Sequence, residues 1–412
     1  MYVSCLDFYA PEALDKVSPP EPWTKEYDIL CKRERRKYVK WVNKVLQSHK
    51  ALALDGFRIY FDLTKSSRQS IDKWLQYAID RKVQRLELNL LEHGMFRHRS
   101  PDCYTLPVGF LGLRCGKSSD VGNPRAVIDF KSLKALSLKS VNVSGEVLEF
   151  FIYNCKFLER LVVHDSGDLI TFKVSGPCVA LKHLEICYCN NLKCLNVCSV
   201  NLVSLKTTRA QKLLLKSVPM LANVYANGLY HDIVGDVLPR LSCCLSTLEV
   251  LALGFFYNEA TQLKVWRSEL PQLTTLKQLI LNISARGGKS LLRLVSLIRA
   301  APNLEKLVIK LNWVEEINRR RRKLKKAVNY PFHHLKVFEL SGYYGRTCDL
   351  ELIKYFVENA ISLEKIIIDP RKPCGFERLL MDWEIKEHKV ARAHAKERLK
   401  GLISSHVELV IS

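Results

Sequence analysis

No run of about 18 uncharged apolar residues occurs in the 412-residue chain, so no membrane-spanning helix is expected. The first residues hold no basic segment followed by an apolar one, so a secretory leader is not expected either. Acidic residues are scarce beside basic ones: 42 Asp+Glu stand against 64 Lys+Arg, a formal charge of +22. That surplus favours acidic partners or nucleic acid; otherwise it bears on solubility and steering, not on fold. No Gly-x-Ser-x-Gly elbow and no His-Glu-x-x-His pair occurs. His164 and Asp165 are neighbours, and on a strand neighbouring side chains diverge, so joint acid–base work is not expected of them. The chain reads as a non-enzyme with no cofactor.

Two partial motifs fall short of a site. Gly287-Gly288-Lys289-Ser290 looks like the end of a phosphate-binding loop, but the glycine required five positions before Gly288 is Ile283. A loop before a helix starting near Ser290 is expected instead. Cys178, Cys187, Cys189, Cys194 and Cys198 crowd one region, and Cys194-x3-Cys198 has zinc-like spacing. Cys187 and Cys189, however, fall on strand or turn positions that a repeat fixes, so buried cysteines are expected and no metal site. The 14 cysteines, without an export signal, read as reduced thiols.

What the chain does hold is a repeat. The pattern apolar-x-x-apolar-x-apolar begins at Leu133, Leu158, Leu181, Leu248, Leu276 and Leu304, with looser copies at Leu54, Val83, Leu202, Leu221, Leu335 and Leu363. Steps run about 19 to 31 residues, the leucine-rich-repeat period. One gap, Val83 to Leu133, is too long, and a degenerate unit near Leu106 is expected to fill it. Alternating apolar residues late in each motif fit a short strand whose leucines point inward. Between strands, three segments switch to helical spacing: Ile71, Trp74, Leu75, Ala78 and Ile79, with Ser70 as N-cap; Leu291, Leu294, Val295 and Ile298; and Leu352, Ile353, Phe356, Val357 and Ala360. The fold class expected is α/β: a leucine-rich-repeat solenoid, a horseshoe with parallel strands on its concave face and helices or irregular segments on its convex face.

The ends differ. Pro11, Pro19, Pro20 and Pro22 mark 1–31 as an irregular leader, and 32–48 reads as a basic linker helix with Tyr38, Val42, Val45 and Leu46 on one face. The solenoid is expected over 49–330 and continues in last repeats over 331–370. Residues 371–412 read as a C-terminal helix, from about Trp383 to Leu402, and a capping strand, Val407 to Ile411.

Two blocks of residues resemble the plant F-box/leucine-rich-repeat proteins, many of which end in an FBD domain. The first comprises Tyr38-Val-Lys-Trp41, Asn43, Leu46, Phe57-Arg-Ile-Tyr60, Ile71-Asp72-Lys-Trp74 and Val83-Gln-Arg-Leu86. It is similar to the stretch that follows the F-box in that family. The second comprises Leu335-Lys-Val-Phe338, Gly345, Leu350-Glu351-Leu352, Lys354-Tyr355, Glu358-Asn359-Ala360 and Leu363-Glu364-Lys365. It looks like the FBD signature and makes 331–370 FBD-like. The resemblance implies the substrate-recognition part of a cullin-RING ubiquitin ligase. Nothing in 1–34 resembles the F-box that docks a Skp-type adaptor, so adaptor and cullin are expected as partners only if an F-box is restored.

A solenoid offers its between-leucine residues as a binding surface. A target protein or peptide is therefore expected on the concave face, at Arg85, Glu87, Ser137, Lys139, Arg160, His164, Glu185, Tyr188, Phe255 and Lys306. The sharpest charge feature is Arg319, Arg320, Arg321, Arg322, Lys323, Lys325 and Lys326. A solvated insertion, a nuclear localisation signal and a nucleic-acid patch compete for it, in that order. The expected compartment is nucleus, cytoplasm or both. Function follows in three ranks: recognition module of a ligase, interaction or scaffold protein without ligase coupling, and basic nucleic-acid binder.

Overall fold

The repeat motifs become strands. The computed structural model describes residues 3–10, 13, 25–91, 102–107, 131–176, 180–199, 201–208, 212–227, 238–257, 270–286, 289–313, 323–371 and 382–412. The leader prolines, Cys178, Gly287, Gly288 and Arg319 to Arg322 lie outside the described residues, as do the side chains of Asp382 and Trp383.

The chain divides into two compact units, 1–202 with 208–218, and 203–207 with 219–412. The first holds β1 (Cys5–Tyr9), α1 (Lys25–Ser48), β2 (Gly56–Tyr60), α2 (Arg68–Asp80), β3 (Arg85–Asn89), β4 (Tyr104–Thr105), β5 (Ala135–Lys139), β6 (Val141–Asn142), α3 (Gly145–Asn154), β7 (Arg160–His164), β8 (Thr171–Val174), β9 (His183–Cys187) and β10 (Cys194–Cys198). Next in the chain come β11 (Ser204–Thr208), which belongs mainly to the second unit, and β12 (Lys212–Lys216), which belongs to the first. The second unit continues with β13 (Asn223–Asn227), β14 (Val250–Tyr257), β15 (Gln278–Ala285), α4 (Val295–Arg299), β16 (Lys306–Trp313), β17 (Val337–Ser341), α5 (Thr347–Asn359), β18 (Lys365–Asp369), α6 (Asp382–Leu399) and β19 (Glu408–Ile411). No helix among the described residues is long and apolar enough to cross a membrane.

In the first unit β1, β2, β3, β5, β7 and β9 pair in parallel, in that order. The register stacks Leu6, Phe57, Leu86, Leu136, Leu161 and Leu184 into one inward row, and Phe8, Ile59, Leu88, Leu138, Val163 and Ile186 into a second. All are buried. In the second unit β13 to β19 pair in parallel in chain order. Leu251, Leu279, Leu307, Phe338 and Ile366 make its corresponding row. This is the α/β leucine-rich-repeat architecture that the period implies.

Three expectations need correction. First, β3 pairs directly with β5, so no unit of the main sheet lies near Leu106. The intervening chain supplies β4 instead, which pairs with β6, while Tyr104 and Leu106 are buried. Second, the leader is not wholly irregular. β1 adds an edge strand, and its Leu6 and Phe8 are buried. Third, β8, β10 and β12 form a second parallel sheet where helices or irregular segments were expected. Repeat length is the cause. Returning along a five-residue strand takes about 16 Å, which a second strand spans in about 5 residues and a helix in about 10. The steps of about 19 to 23 residues from Leu158 to Leu221 fit the strand, and the steps of about 25 to 29 that carry α2, α3, α4 and α5 fit the helix.

Helix ends are set locally. A 3-10 turn, Lys65–Ser67, precedes α2, so the helix starts before Ser70 and its N-cap is Ser67. Ser144 caps α3 by accepting from the Val147 amide at 3.4 Å. Gly145 follows because a Cβ there would stand 1.9 Å from the Thr171 carbonyl oxygen of β8. The stripe from Leu291 is a 3-10 turn, Leu292–Leu294, running into the short α4. The linker helix starts seven residues earlier than expected, at Lys25. Tyr38 and Val42 are its buried face, while Val45 and Leu46 are half-buried.

Candidate functional site

Each outward position of the parallel strands sits beside its counterpart on the next strand, so the outward side of the first unit carries three rows, in which Asn89, Val162 (between Ser137 and Glu185) and Cys187 are buried. One holds Arg85, Arg160 and His183; the next holds Asp7, Arg58, Glu87, Ser137 and Glu185; the third holds Tyr9, Tyr60, Asn89, Lys139, His164 and Cys187. Arg85, Glu87, Ser137, Lys139, Arg160, His164 and Glu185 therefore lie where the alternation places them.

Ion pairs link neighbouring strands along this face. The Arg58 guanidinium lies 3.4 Å from Asp7 and 3.5 Å from Glu87, and the Lys139 ammonium lies 3.5 Å from Glu87. Arg58 also sits 5.1 Å from the Tyr9 ring centroid and 5.5 Å from that of Tyr60, while the two rings are 4.8 Å apart. A guanidinium resting over two aromatic rings gains cation–π attraction and loses little freedom when it meets a partner. Tyr9, Arg58 and Tyr60 were missed as site residues, although the alternation of Phe57 and Ile59 with Arg58 and Tyr60 points to them. Tyr9 was hidden by reading its segment as irregular.

His164 does not work with Asp165. Asp165 follows the strand with φ 56° and accepts a hydrogen bond from the Ser140 hydroxyl at 2.8 Å. His164 Nε2 instead lies 2.9 Å from Glu185 Oε1 on the adjacent strand. Tyr188 lies one residue beyond β9 at φ 59°, its amide donating to Thr208 Oγ1 at 2.5 Å and its ring edge-on to the His164 imidazole. Burial lowers the His183 pKa, with Arg160 and Lys182 adding to the effect, so this edge of the face keeps its positive charge on arginine and lysine.

Phe255 is a correction. β14 runs eight residues, so the alternation continues past Leu253 and turns Phe255 inward, where it is 2% exposed. Phe256 takes the outward place, under the Arg286 guanidinium at 5.3 Å. The second unit's solvent face carries a central row of Tyr225, Ala252, Ile280, Val308, Glu339, Ile367 and Val410. Beside it run Lys306, 3.3 Å from Glu339, and Lys365, 2.9 Å from Glu408.

The cysteines behave as the repeat requires. Cys189 is buried in the turn after β9 with its thiol toward the Cys187 carbonyl at 3.5 Å, and burial pushes its pKa up to about 12. Cys194 and Cys198 end β10 in the second small sheet. No disulfide links the described cysteines. Ser290 donates to Glu351 at 2.6 Å, a packing contact with α5. Of the basic run, Lys323, Lys325 and Lys326 are described and exposed, and the Lys325 amide donates to Glu351 at 2.6 Å.

Comparison with known proteins agrees with this architecture. Residues 45–409 match the family described as At1g61320/AtMIF1, LRR domain. The F-box/LRR-repeat protein At3g03360 of Arabidopsis thaliana is 25% identical over 177 residues, 38% of this chain and 36% of that protein. The F-box protein At5g03100 of the same plant is 26% identical over 163 residues, 40% of this chain and 50% of that protein. The chain thus spans no more than half the length of these relatives. With the parallel repeat strands and a match over most of its length, the chain belongs to the leucine-rich-repeat family of the At1g61320/AtMIF1 type.

Proposed function

We propose that the chain is a protein-binding module, not an enzyme, which selects a target protein or peptide through the solvent faces of its repeat strands. The observation that carries this reading is the Tyr9–Arg58–Tyr60 cluster, tied by ion pairs to Asp7 and Glu87. Tyrosine and arginine dominate binding hot spots, and a pre-positioned arginine costs less entropy to engage. The formal charge of +22 favours an acidic target. Relatives named F-box/LRR-repeat proteins support the finer reading, recognition of substrates for a cullin-RING ubiquitin ligase. The other reading, an interaction or scaffold protein without ligase coupling, shares the same surface and differs only in adaptor docking.

A photo-crosslinking amino acid placed at Tyr60, and separately at Tyr153 on α3, tests the surface. Tyr60 should yield a discrete crosslinked target that Arg58→Ala abolishes without changing the melting curve. Equal capture of that target from Tyr153, which is 81% exposed, would sink the reading. Steeply salt-dependent binding to arbitrary duplex DNA would favour the nucleic-acid alternative.

A further inference from the structure

We propose that His164, Glu185 and Cys187 form a binding site for a soft divalent cation of the zinc class. The parallel register sets His164 at the end of β7 directly beside Cys187 at the end of β9, with Glu185 one outward position earlier. The three donor atoms all lie within 4.8 Å of one another. His164 Nε2 is 2.9 Å from Glu185 Oε1, and Cys187 Sγ is 3.9 Å from the same oxygen.

The geometry is close to that of a metal centre. With Zn–N and Zn–O near 2.1 Å and Zn–S near 2.3 Å, tetrahedral donors stand roughly 3.3 to 3.7 Å apart. To reach that arrangement the His164 nitrogen and Glu185 oxygen must part from 2.9 Å and the thiol must close from 3.9 Å, and the hydrogen between Nε2 and Glu185 moves to Nδ1 or to solvent as the cation takes its place. The thiol loses its proton to solvent on binding. A thiolate with an imidazole selects zinc, cobalt or copper over magnesium or calcium, whose preference is for oxygen. Three protein ligands leave a fourth tetrahedral position. It opens on the side of His164 and Glu185, whose side chains are 12% and 23% exposed, while Cys187 closes the inner side. Tyr188, fixed in its left-handed turn, flanks the imidazole.

The same residues do not suit nucleophilic catalysis. Cys187 has no exposed surface, and the His164 Nε2 is already engaged by Glu185. The site is apart from the Tyr9–Arg58–Tyr60 cluster and stands whether or not that cluster binds a target.

The test is cobalt(II) titration of the full chain, reduced and stripped with EDTA, followed by zinc competition. One equivalent of cobalt should bind with thiolate-to-cobalt charge transfer and tetrahedral visible bands, and zinc should displace it. Cys187→Ala should abolish the charge-transfer band. His164→Gln and Glu185→Gln should weaken binding by more than about tenfold, the least that loss of even an outer-shell support costs. The paired Cys194→Ser/Cys198→Ser variant should bind as the parent does. Glu185→Gln guards against misfolding, because it alters a partly exposed side chain and leaves the thiol in place. A charge-transfer band that survives Cys187→Ala, or that vanishes with Cys194 and Cys198, overturns the assignment. So does weak binding shared by all variants, which would leave an ordinary His–Glu pair beside a buried thiol.

Discussion

At the scale of single residues Leu184 and Glu185 set an inward position against an outward one. Leu184 is fully buried beside Leu161 of β7, while Glu185 next to it is partly exposed. Leu184→Asp should cost about 3–5 kcal/mol, because a buried charge gains no partner. Glu185→Ala should cost about 1 kcal/mol or less, the range of one partly exposed hydrogen bond, here to His164. Equal shifts in denaturant midpoint would mean that the strand register is wrong. Asp349 offers a second residue-scale test. Burial pushes its carboxyl up to about 6, against two amide bonds, from Tyr344 and Arg346, both at 3.0 Å. A raised carboxyl binds its proton more tightly in the folded state than in the unfolded chain. Its contribution is therefore complete below the unfolded value of 3.8 and is lost as pH rises through about 6. Relative to Asp349→Asn, the native chain should lose up to about 3 kcal/mol between pH 4 and 7. A pH-independent gap in melting temperature would show that the amide bonds and Arg346 outweigh burial. Residues of this kind were legible in the sequence only where the repeat fixed them. Leu184 and Cys189 could be placed by spacing alone. Asp349 could not, because its burial comes from a helix end whose tertiary neighbours leave no periodic trace.

At the scale of elements, every motif copy was legible as a strand because apolar residues recur at alternating positions late in each step. Elements outside the repeat were legible where they carried a clear pattern of their own, as in α1, α6 and β19, and not where they carried no clear one. β8, β10 and β12 alternate as strands do, but their short steps had to be weighed against the length a helix needs. β1 was concealed by the proline-rich residues that follow it, although Leu6 and Phe8 alternate with polar neighbours. β1 also anchors the linker helix. Phe8 meets the Trp41 ring edge-on at 5.4 Å and Phe57 at 5.8 Å, and its carbonyl accepts from the Tyr38 hydroxyl at 2.6 Å. Phe8→Ala should therefore cost about 3–5 kcal/mol, since an aromatic core side chain is lost and the site can collapse only partly. Hydrogen exchange should show faster opening of both β1 and α1. If only the amides of β1 lose protection, the strand is an appendage and not a support. The segment with the basic run belongs at this scale too. Its described part is an exposed strap held to α5 through the Lys325 amide and through the Tyr355 hydroxyl, which donates to the Val328 carbonyl at 3.1 Å. If the run directs import, replacing Arg319 to Arg322, Lys323, Lys325 and Lys326 with Gln should shift a fluorescent fusion from nucleus to cytoplasm and leave the melting curve unchanged. Unaltered distribution would return the run to the status of a solvated insertion.

At the scale of the whole molecule the open matter is how target binding is coupled to anything else. In the F-box reading a separate helical module docks the adaptor, and the repeats present the target. Within residues 25–48 the one long helix is already committed. Arg35 pairs with the buried Asp62 at 2.7 Å, Trp74 Nε1 donates to Asn43 at 2.7 Å, and the Tyr38 ring stacks on Phe61 at 4.2 Å. These contacts turn the apolar face of α1 toward the first repeats, so docking an adaptor there would require breaking them. An aromatic stack and a buried ion pair together make that opening costly, because Asp62 would be left without its guanidinium. Residues 1–412 alone should consequently not recover a Skp-type adaptor or cullin, yet should still bind their target through the solvent face. The same residues joined behind a family F-box should recover both. A side-by-side pull-down with purified adaptor reads the difference, with Arg58→Ala as the control that removes target and spares adaptor. Strong adaptor recovery by residues 1–412 would place docking determinants within the repeats or the segment before them. Hydrogen exchange of α1 in the complex would tell the two apart, since docking on its apolar face must break its packing on Phe61, Asp62 and Trp74.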